Sequence, residues 1–91
     1  MTFMQHNKTS AVLMEQALAK QIKIELINNN MSQTRLAELV GLDRTTVNRY
    51  LNGKLPMGFD DVVSMASALG MNLSELARRA EALLPQEDPK P

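Results

Sequence analysis

Residues 32–53, SQTRLAELVGLDRTTVNRYLNG, determine the predicted fold. Ser32 and Asp43 each precede a short segment with helical periodicity, and both residue types favour the N-cap of a helix. Gly41 follows the first of these segments, and glycine adopts the left-handed conformation that commonly ends a helix. The stretch therefore predicts two short helices, joined by a tight turn of Gly41, Leu42 and Asp43.

Two short helices at this spacing form a helix-turn-helix. Residues at i, i+3 and i+4 steps form the predicted buried stripe of its second helix: Val47, Tyr50 and Leu51. The opposite side, about 100° wide, carries polar side chains: Thr45, Asn48, Arg49 and Asn52. Such a face fits the major groove of DNA, where the base edges present hydrogen-bond donors and acceptors.

Helical periodicity continues on both sides of the helix-turn-helix, and strand-like alternation is absent. Upstream, Thr9 or Ser10 can cap a first helix that runs to about Asn28, where consecutive asparagines interrupt it. Downstream, a fourth helix begins near Phe59, and Asn72 caps a fifth helix. The predicted fold is all-α with five helices, and the fifth helix extends to Leu83 or Leu84.

The composition limits the function. A chain of 91 residues supports one domain, which we assign to residues 10–84, between a disordered N-terminal arm at 1–9 and a disordered tail at 85–91. The absence of cysteine and the single histidine, His6, exclude disulfides, thiolate sites and histidine clusters. We therefore expect no catalytic residues, no metal site and no cofactor. Because no membrane-spanning segment or secretory signal is recognisable, we expect a cytoplasmic protein without a membrane partner.

Charge is distributed unevenly along a chain whose formal net charge is zero. Residues 1–54 contain seven basic and four acidic groups, whereas residues 55–91 contain three basic and six acidic groups. The first part therefore carries +3 and the second −3. This asymmetry fits a domain that meets an anionic partner with its first half.

Short sequence motifs that match a known family, in the same order along the chain, extend beyond the helix-turn-helix. They are SQ before the second helix, LA within it, G at the turn, V and YLNGK in the third helix, and P…MASALGMNLSEL after it. From about residue 17 to 84, the chain resembles the Cro/phage-repressor family, also called the Xre family. The resemblance implies a compact, five-helix, lambda-repressor-like domain that binds double-stranded DNA.

The resemblance also implies which residues contact DNA. The family reads base edges at positions that are occupied here by Arg44, Thr45, Asn48 and Arg49. Phosphate contacts are implied at or near Ser32, Gln33, Thr46, Asn52 and Lys54. The resemblance also implies that Gln33 steadies the start of the third helix. Asp43 carries the wrong charge for a phosphate contact, and we assign it to helix capping through the amide of Thr45 or Thr46.

These features predict a transcriptional repressor of phage or prophage type, which occludes a promoter by binding a palindromic operator in a bacterial cell. An antitoxin that represses its own operon is an alternative with the same features. If the protein is an antitoxin, its protein partner would be a toxin. If it is a phage-type repressor, the partner would be an anti-repressor. An alternative from a different functional class is a protein-interaction module that has lost DNA binding. The neutral net charge and Asp43 favour this alternative.

A palindromic operator implies a homodimer. The fifth helix carries a broad apolar stripe, and its last residues, Leu83 and Leu84, lie beyond the reach of the core. We therefore predict these leucines at the dimer interface. The early start of the first helix, at Val12, Leu13 and Met14, provides a competing dimer surface.

Overall fold

The computed structural model describes residues 2–85, with side chains from Ser10 onward. This part of the chain forms five helices and no strand, which confirms the all-α prediction. In chain order the helices are α1 (Thr2–Asn28), α2 (Gln33–Val40), α3 (Arg44–Leu51), α4 (Phe59–Ala68) and α5 (Leu73–Glu81). None of these helices is long and apolar enough to cross a membrane.

The start of α1 differs from the sequence prediction. The helix begins at Thr2 and not at Thr9 or Ser10, so it includes residues 2–9, which were assigned to a disordered arm. No proline or glycine interrupts this stretch. A capping side chain favours a helix start but does not prevent a helix from continuing upstream of it.

The end of α5 also differs. Asn72 caps the helix as predicted, because its Oδ1 accepts from the backbone N–H of Glu75 at 2.9 Å. The helix ends at Glu81, however, and Leu83 and Leu84 lie in the turns that follow. Leu84 precedes a proline, which disfavours helical backbone at that position. The predicted disordered tail lies, from residue 86 onward, outside the described residues.

The helices of the helix-turn-helix end with the same hydrogen-bonding pattern. Gly41 and Gly53 have φ angles of 75° and 72°, which confirms the left-handed conformation predicted at Gly41. The backbone N–H that follows each glycine donates to a carbonyl five residues back: Leu42 to Ala37 at 2.9 Å, and Lys54 to Arg49 at 2.9 Å. These bonds fix the direction in which the chain leaves α2 and α3.

Each helix contributes a fully buried side chain to one core. These side chains are Ile22, Leu36, Val47, Met65 and Leu76. Small residues such as Ala37 and Ala66, 3% and 0% exposed, allow the helices to pack closely around them. The core is therefore mainly aliphatic, and it holds α2 and α3 at a fixed angle.

A polar cluster, which we call the α1–α5 seam, joins the first and last helices. It consists of Gln21, Glu25, Glu75 and Arg79. Glu25 is 3% exposed and accepts from Gln21 Nε2 at 2.8 Å and from Arg79 Nη1 at 2.7 Å. Arg79 Nε also donates to Glu75 at 2.7 Å, so one guanidinium bridges two carboxylates. This cluster was not predicted, because Glu25 and Arg79 are 54 residues apart and local periodicity does not connect them.

Candidate nucleic-acid interface

Helix α3 packs with one side on the core and presents its polar side to solvent. Val47, Tyr50 and Leu51 are buried, as predicted. The side chains predicted to read bases are all exposed: Arg44, Thr45, Asn48 and Arg49. We call these exposed residues the α3 face. Because the core fixes the helix from behind, the α3 face is free to enter a groove of a partner.

The buried side of α3 is anchored to α4 by Tyr50. Tyr50 is 8% exposed, and its hydroxyl donates to the carboxylate of Asp61 in the first turn of α4. This hydrogen bond raises the pKa of the Tyr50 hydroxyl, and burial acts in the same direction. The predicted core position of Tyr50 is confirmed, and its bond to Asp61 restrains rotation of α3 about its axis.

The basic residues at the α3 face are not neutralised by the described part of the chain. The ion pairs found there are Arg35–Glu38, Arg78–Glu75, Arg79–Glu75 and Arg79–Glu25. None of these pairs involves Arg44, Arg49 or Lys54. Both arginines of α3 therefore keep their N–H donors for another molecule.

Gln33 and Asn48 form one hydrogen-bonded unit across the helix-turn-helix. Asn48 Nδ2 donates to Oε1 of Gln33, which is half-buried at the start of α2, at 3.1 Å. The bond leaves the amide N–H groups of Gln33 available, together with the carbonyl oxygen and the second N–H of Asn48. The resemblance implies that Gln33 contacts phosphate and steadies the start of α3, and that Asn48 reads a base; a direct bond between the two side chains was not predicted.

The other residues predicted to contact phosphate lie on α2 and α3 or close to their ends. Ser32 caps α2 as predicted, because its hydroxyl oxygen accepts from the backbone N–H of Arg35 at 3.0 Å. Thr46 is half-buried on α3. Asn52, at the C-terminal end of α3, and Lys54, in the following loop, are exposed.

Asp43 does not cap α3 in the predicted way. Its backbone has the geometry of an N-cap, with φ −71° and ψ 146°, but its side chain makes no capping hydrogen bond. The predicted bond to the amide of Thr45 or Thr46 was therefore wrong. The backbone of Asp43 permits the bond but does not fix the side-chain rotamer, and the rotamer of Asp43 keeps its carboxylate away from these amides. A carboxylate that takes no part in capping thus lies at the start of the α3 face.

Lysines of α1 that the sequence did not single out lie beside the end of α3. Lys20 and Lys23 line a surface concavity of about 360 Å³ together with Asn52 and Gly53. A signal was present in the sequence, because Gln16, Lys20 and Lys23 recur at four- and three-residue steps and share one side of α1. Basic side chains of α1 therefore adjoin the helix-turn-helix.

The arrangement suits binding to a partner through hydrogen bonds and positive charge. Across the described residues, no group of three or more histidine, aspartate or glutamate side chains could hold a metal ion. The donors of Arg44 and Arg49 are instead presented on an open, convex helix surface. A helix with this exposed pattern matches the donor and acceptor groups of base edges in the major groove.

Comparison with known families agrees with this geometry. A family model described as helix-turn-helix matches residues 22–76, more than half of the chain. The match begins within α1, ends within α5, and confirms the resemblance found in the sequence. Searches of curated proteins and of solved structures found no match. The five helices thus form a lambda-repressor-like domain, and the chain belongs to the Cro/C1-type helix-turn-helix family, whose members are DNA-binding regulators and not enzymes.

Proposed function

We propose that this regulator is a sequence-specific repressor of phage or prophage type, which occludes a promoter by binding a palindromic operator. The observation that carries the proposal is the composition of the α3 face. Arg44 and Arg49 are exposed there without an ion-pair partner among the described residues, next to Thr45 and Asn48. The major groove admits an α-helix, and each base pair presents a distinct hydrogen-bonding pattern in it.

In this proposal the α3 face contacts base edges through Arg44, Thr45, Asn48 and Arg49. An arginine can donate two hydrogen bonds to O6 and N7 of guanine. Asn48, held in place by Gln33, still has the acceptor and the donor needed for N6 and N7 of adenine. Contacts with the phosphates on either side of these bases are assigned to Ser32, Gln33, Thr46, Asn52 and Lys54.

The test is a gel shift with DNA that flanks the protein's own gene, at two salt concentrations. We expect affinity to fall as salt rises, because basic residues that bind phosphates release counterions. An unrelated duplex of equal length should bind more weakly. Absence of binding at low salt, or binding that salt does not change, would favour a protein-interaction module that has lost DNA binding.

We further propose that the protein is a homodimer that meets its partner through Leu83 and Leu84. Leu83 is 36% exposed and Leu84 is half-buried, just beyond α5. Leu76 and Ala80, in contrast, are buried in the protomer's own core and offer no surface to a partner. A suitable dimer would place two copies of α3 about 34 Å apart, one turn of DNA.

Sedimentation of the wild type and of a Leu83→Glu/Leu84→Glu variant tests this interface. The variant should sediment as the smaller species, because charges in an apolar contact prevent its burial. The matched control is Val12→Glu on the competing surface, where Val12 is 49% exposed. If only Val12→Glu dissociates the dimer, the interface is formed by α1.

An antitoxin that represses its own operon is the second candidate, and one observation favours it. Leu39 on α2 and Val63 on α4 are 45% and 38% exposed and line a groove of about 500 Å³. The groove exposes these apolar side chains beside two serines, and exposed apolar surface of this kind fits a protein partner, here a toxin. Co-expression with the product of the neighbouring gene should then give a complex that a Leu39→Asp/Val63→Asp variant loses. If the two proteins do not associate, the repressor is favoured.

A further inference from the structure

We propose that Lys20 and Lys23 of α1 form an additional binding site for DNA backbone phosphates, beside the helix-turn-helix. The inference rests on the proposed DNA binding by the α3 face and extends the contact surface to another helix. The family comparison assigns no role to these lysines.

The first observation is the position of the lysines relative to the end of α3. Lys20 and Lys23 line the concavity of about 360 Å³ that also includes Asn52 and Gly53. The remaining lining residues are Gln16, Ala19 and Leu51, so no acidic side chain belongs to this surface. An anionic group in this concavity would therefore lie among two basic residues and no acidic one.

The second observation is that Lys23 also reaches the start of α2. It lines a separate concavity of about 550 Å³ that includes Ser32 and Gln33. Lys23 thus lies between the two helix ends at which phosphate contacts are assigned, Gln33 on one side and Asn52 on the other. Successive phosphates of one DNA strand could contact Gln33, the α1 lysines and Asn52 in turn.

The third observation is that the acidic side chains of α1 between Ser10 and Asn28 are engaged elsewhere. Glu25 is buried and bonded to Gln21 and Arg79, and Glu15 accepts from the backbone N–H of Met57 at 3.2 Å. No ion pair among the described residues involves Lys20 or Lys23. The lysine side of α1 is therefore positive, although the formal net charge of the chain is zero. Lysine is well suited to phosphate as a compact, mobile charge.

The experiment measures affinity for the operator as a function of salt for Lys20→Gln/Lys23→Gln. Each lost phosphate contact should reduce the slope of log affinity against log salt by about 0.9, and so by about 1.8 per bound protomer for the double variant. Affinity should fall by the same factor for the operator and its single-base variants, because phosphates carry no sequence information. The control is Arg78→Gln, which removes one exposed charge on α5 and should leave the slope unchanged.

Thermal unfolding of each variant establishes that it is folded before binding is compared. If the wild type binds the operator and the lysine variant has the same affinity and slope, the inference is wrong and the proposed function stands. If the lysine variant and Arg78→Gln lower the slope equally per charge, the lysines act only through net charge, which also overturns the inference. If the wild-type protein shows no salt-dependent DNA binding, both the proposed function and the inference are wrong.

Discussion

Arg79 in the α1–α5 seam and Arg49 in the α3 face are the same residue type on the surface of one small domain, yet their surroundings differ. Arg79 donates to Glu25 and to Glu75, each at 2.7 Å, and so ties the last helix to the first. Arg49 has no ion-pair partner among the described residues. Pairing within the chain, and not residue type, thus separates charges that hold the fold together from charges that remain available to a partner.

One carboxylate of the seam should respond to acid. Hydrogen bonds from Arg78 and Arg79 lower the pKa of Glu75 below its usual value. The stability that this carboxylate contributes is therefore present above the usual glutamate pKa and is lost as pH falls through the lowered value. Acid should therefore weaken the ion pairs of Glu75 with Arg78 and Arg79, which lie on the α5 side of the seam.

The largest effect on folding stability is expected from Glu25→Ala, which breaks the seam. The free energy of unfolding should fall by about 2 kcal/mol, chiefly because the buried amide of Gln21 loses its acceptor. Denaturant unfolding followed by circular dichroism measures this loss. Glu38→Ala is the matched control, because it removes an exposed carboxylate paired with Arg35 and should cost only about 0.3 kcal/mol. A loss for Glu25→Ala as small as the loss for Glu38→Ala would show that the seam does not stabilise the fold.

In contrast to Glu25→Ala, Arg49→Ala should leave the free energy of unfolding unchanged and should weaken DNA binding. We expect a loss of about 1–3 kcal/mol on the operator and a relaxed preference at one base position, because the paired hydrogen bonds to guanine are removed. Binding to single-base variants of the operator measures both effects. Lys54→Ala, the control, should weaken all sequences about equally. An equal loss on every operator variant would assign Arg49 to phosphate.

Tyr50→Phe tests how the buried side of α3 contributes to stability, because Tyr50 lies behind the α3 face. Loss of the hydrogen bond to Asp61 should lower the free energy of unfolding by about 1 kcal/mol. The pKa of Tyr50 is raised in the folded protein. Its contribution is therefore complete below the usual tyrosine pKa of about 10 and is lost as pH rises through the raised value. Unfolding at pH 7 and above pH 10 should show the wild type approaching the variant; a constant difference would argue against the bond.

The smallest effect is expected from Asp43→Asn. Stability should change by no more than about 0.5 kcal/mol, since the carboxylate makes no capping bond and asparagine is an equally good N-cap residue. Affinity should rise slightly for every DNA sequence, because a charge that repels phosphate is removed. Melting curves and the binding series measure these changes. A loss of preference at one base pair would instead show that Asp43 accepts from a base amino group.

The helix-turn-helix was predictable because its determinants are local. Ser32 caps α2, Gly41 ends it, and the spacing of apolar residues orients α3, all within a few residues of each other. The bond between Gln33 and Asn48 was not predictable, because it depends on the angle between two helices. Local periodicity also does not predict contacts between residues far apart in the sequence, such as the bond between Glu25 and Arg79 in the seam. The missing capping bond of Asp43 depends on its side-chain rotamer, which residue type and backbone geometry do not determine.

The central claim is that the α3 face, and not the seam, binds DNA, and a paired measurement on Arg49→Ala and Arg79→Ala tests it most directly. Affinity for the DNA that flanks the protein's own gene and the melting temperature are measured for both variants. Arg49→Ala should lower affinity by about fivefold or more at an unchanged melting temperature. Arg79→Ala should lower the melting temperature and leave the affinity of the folded protein unchanged. If Arg79→Ala, still folded, lowers affinity as much as Arg49→Ala does, the claim is contradicted.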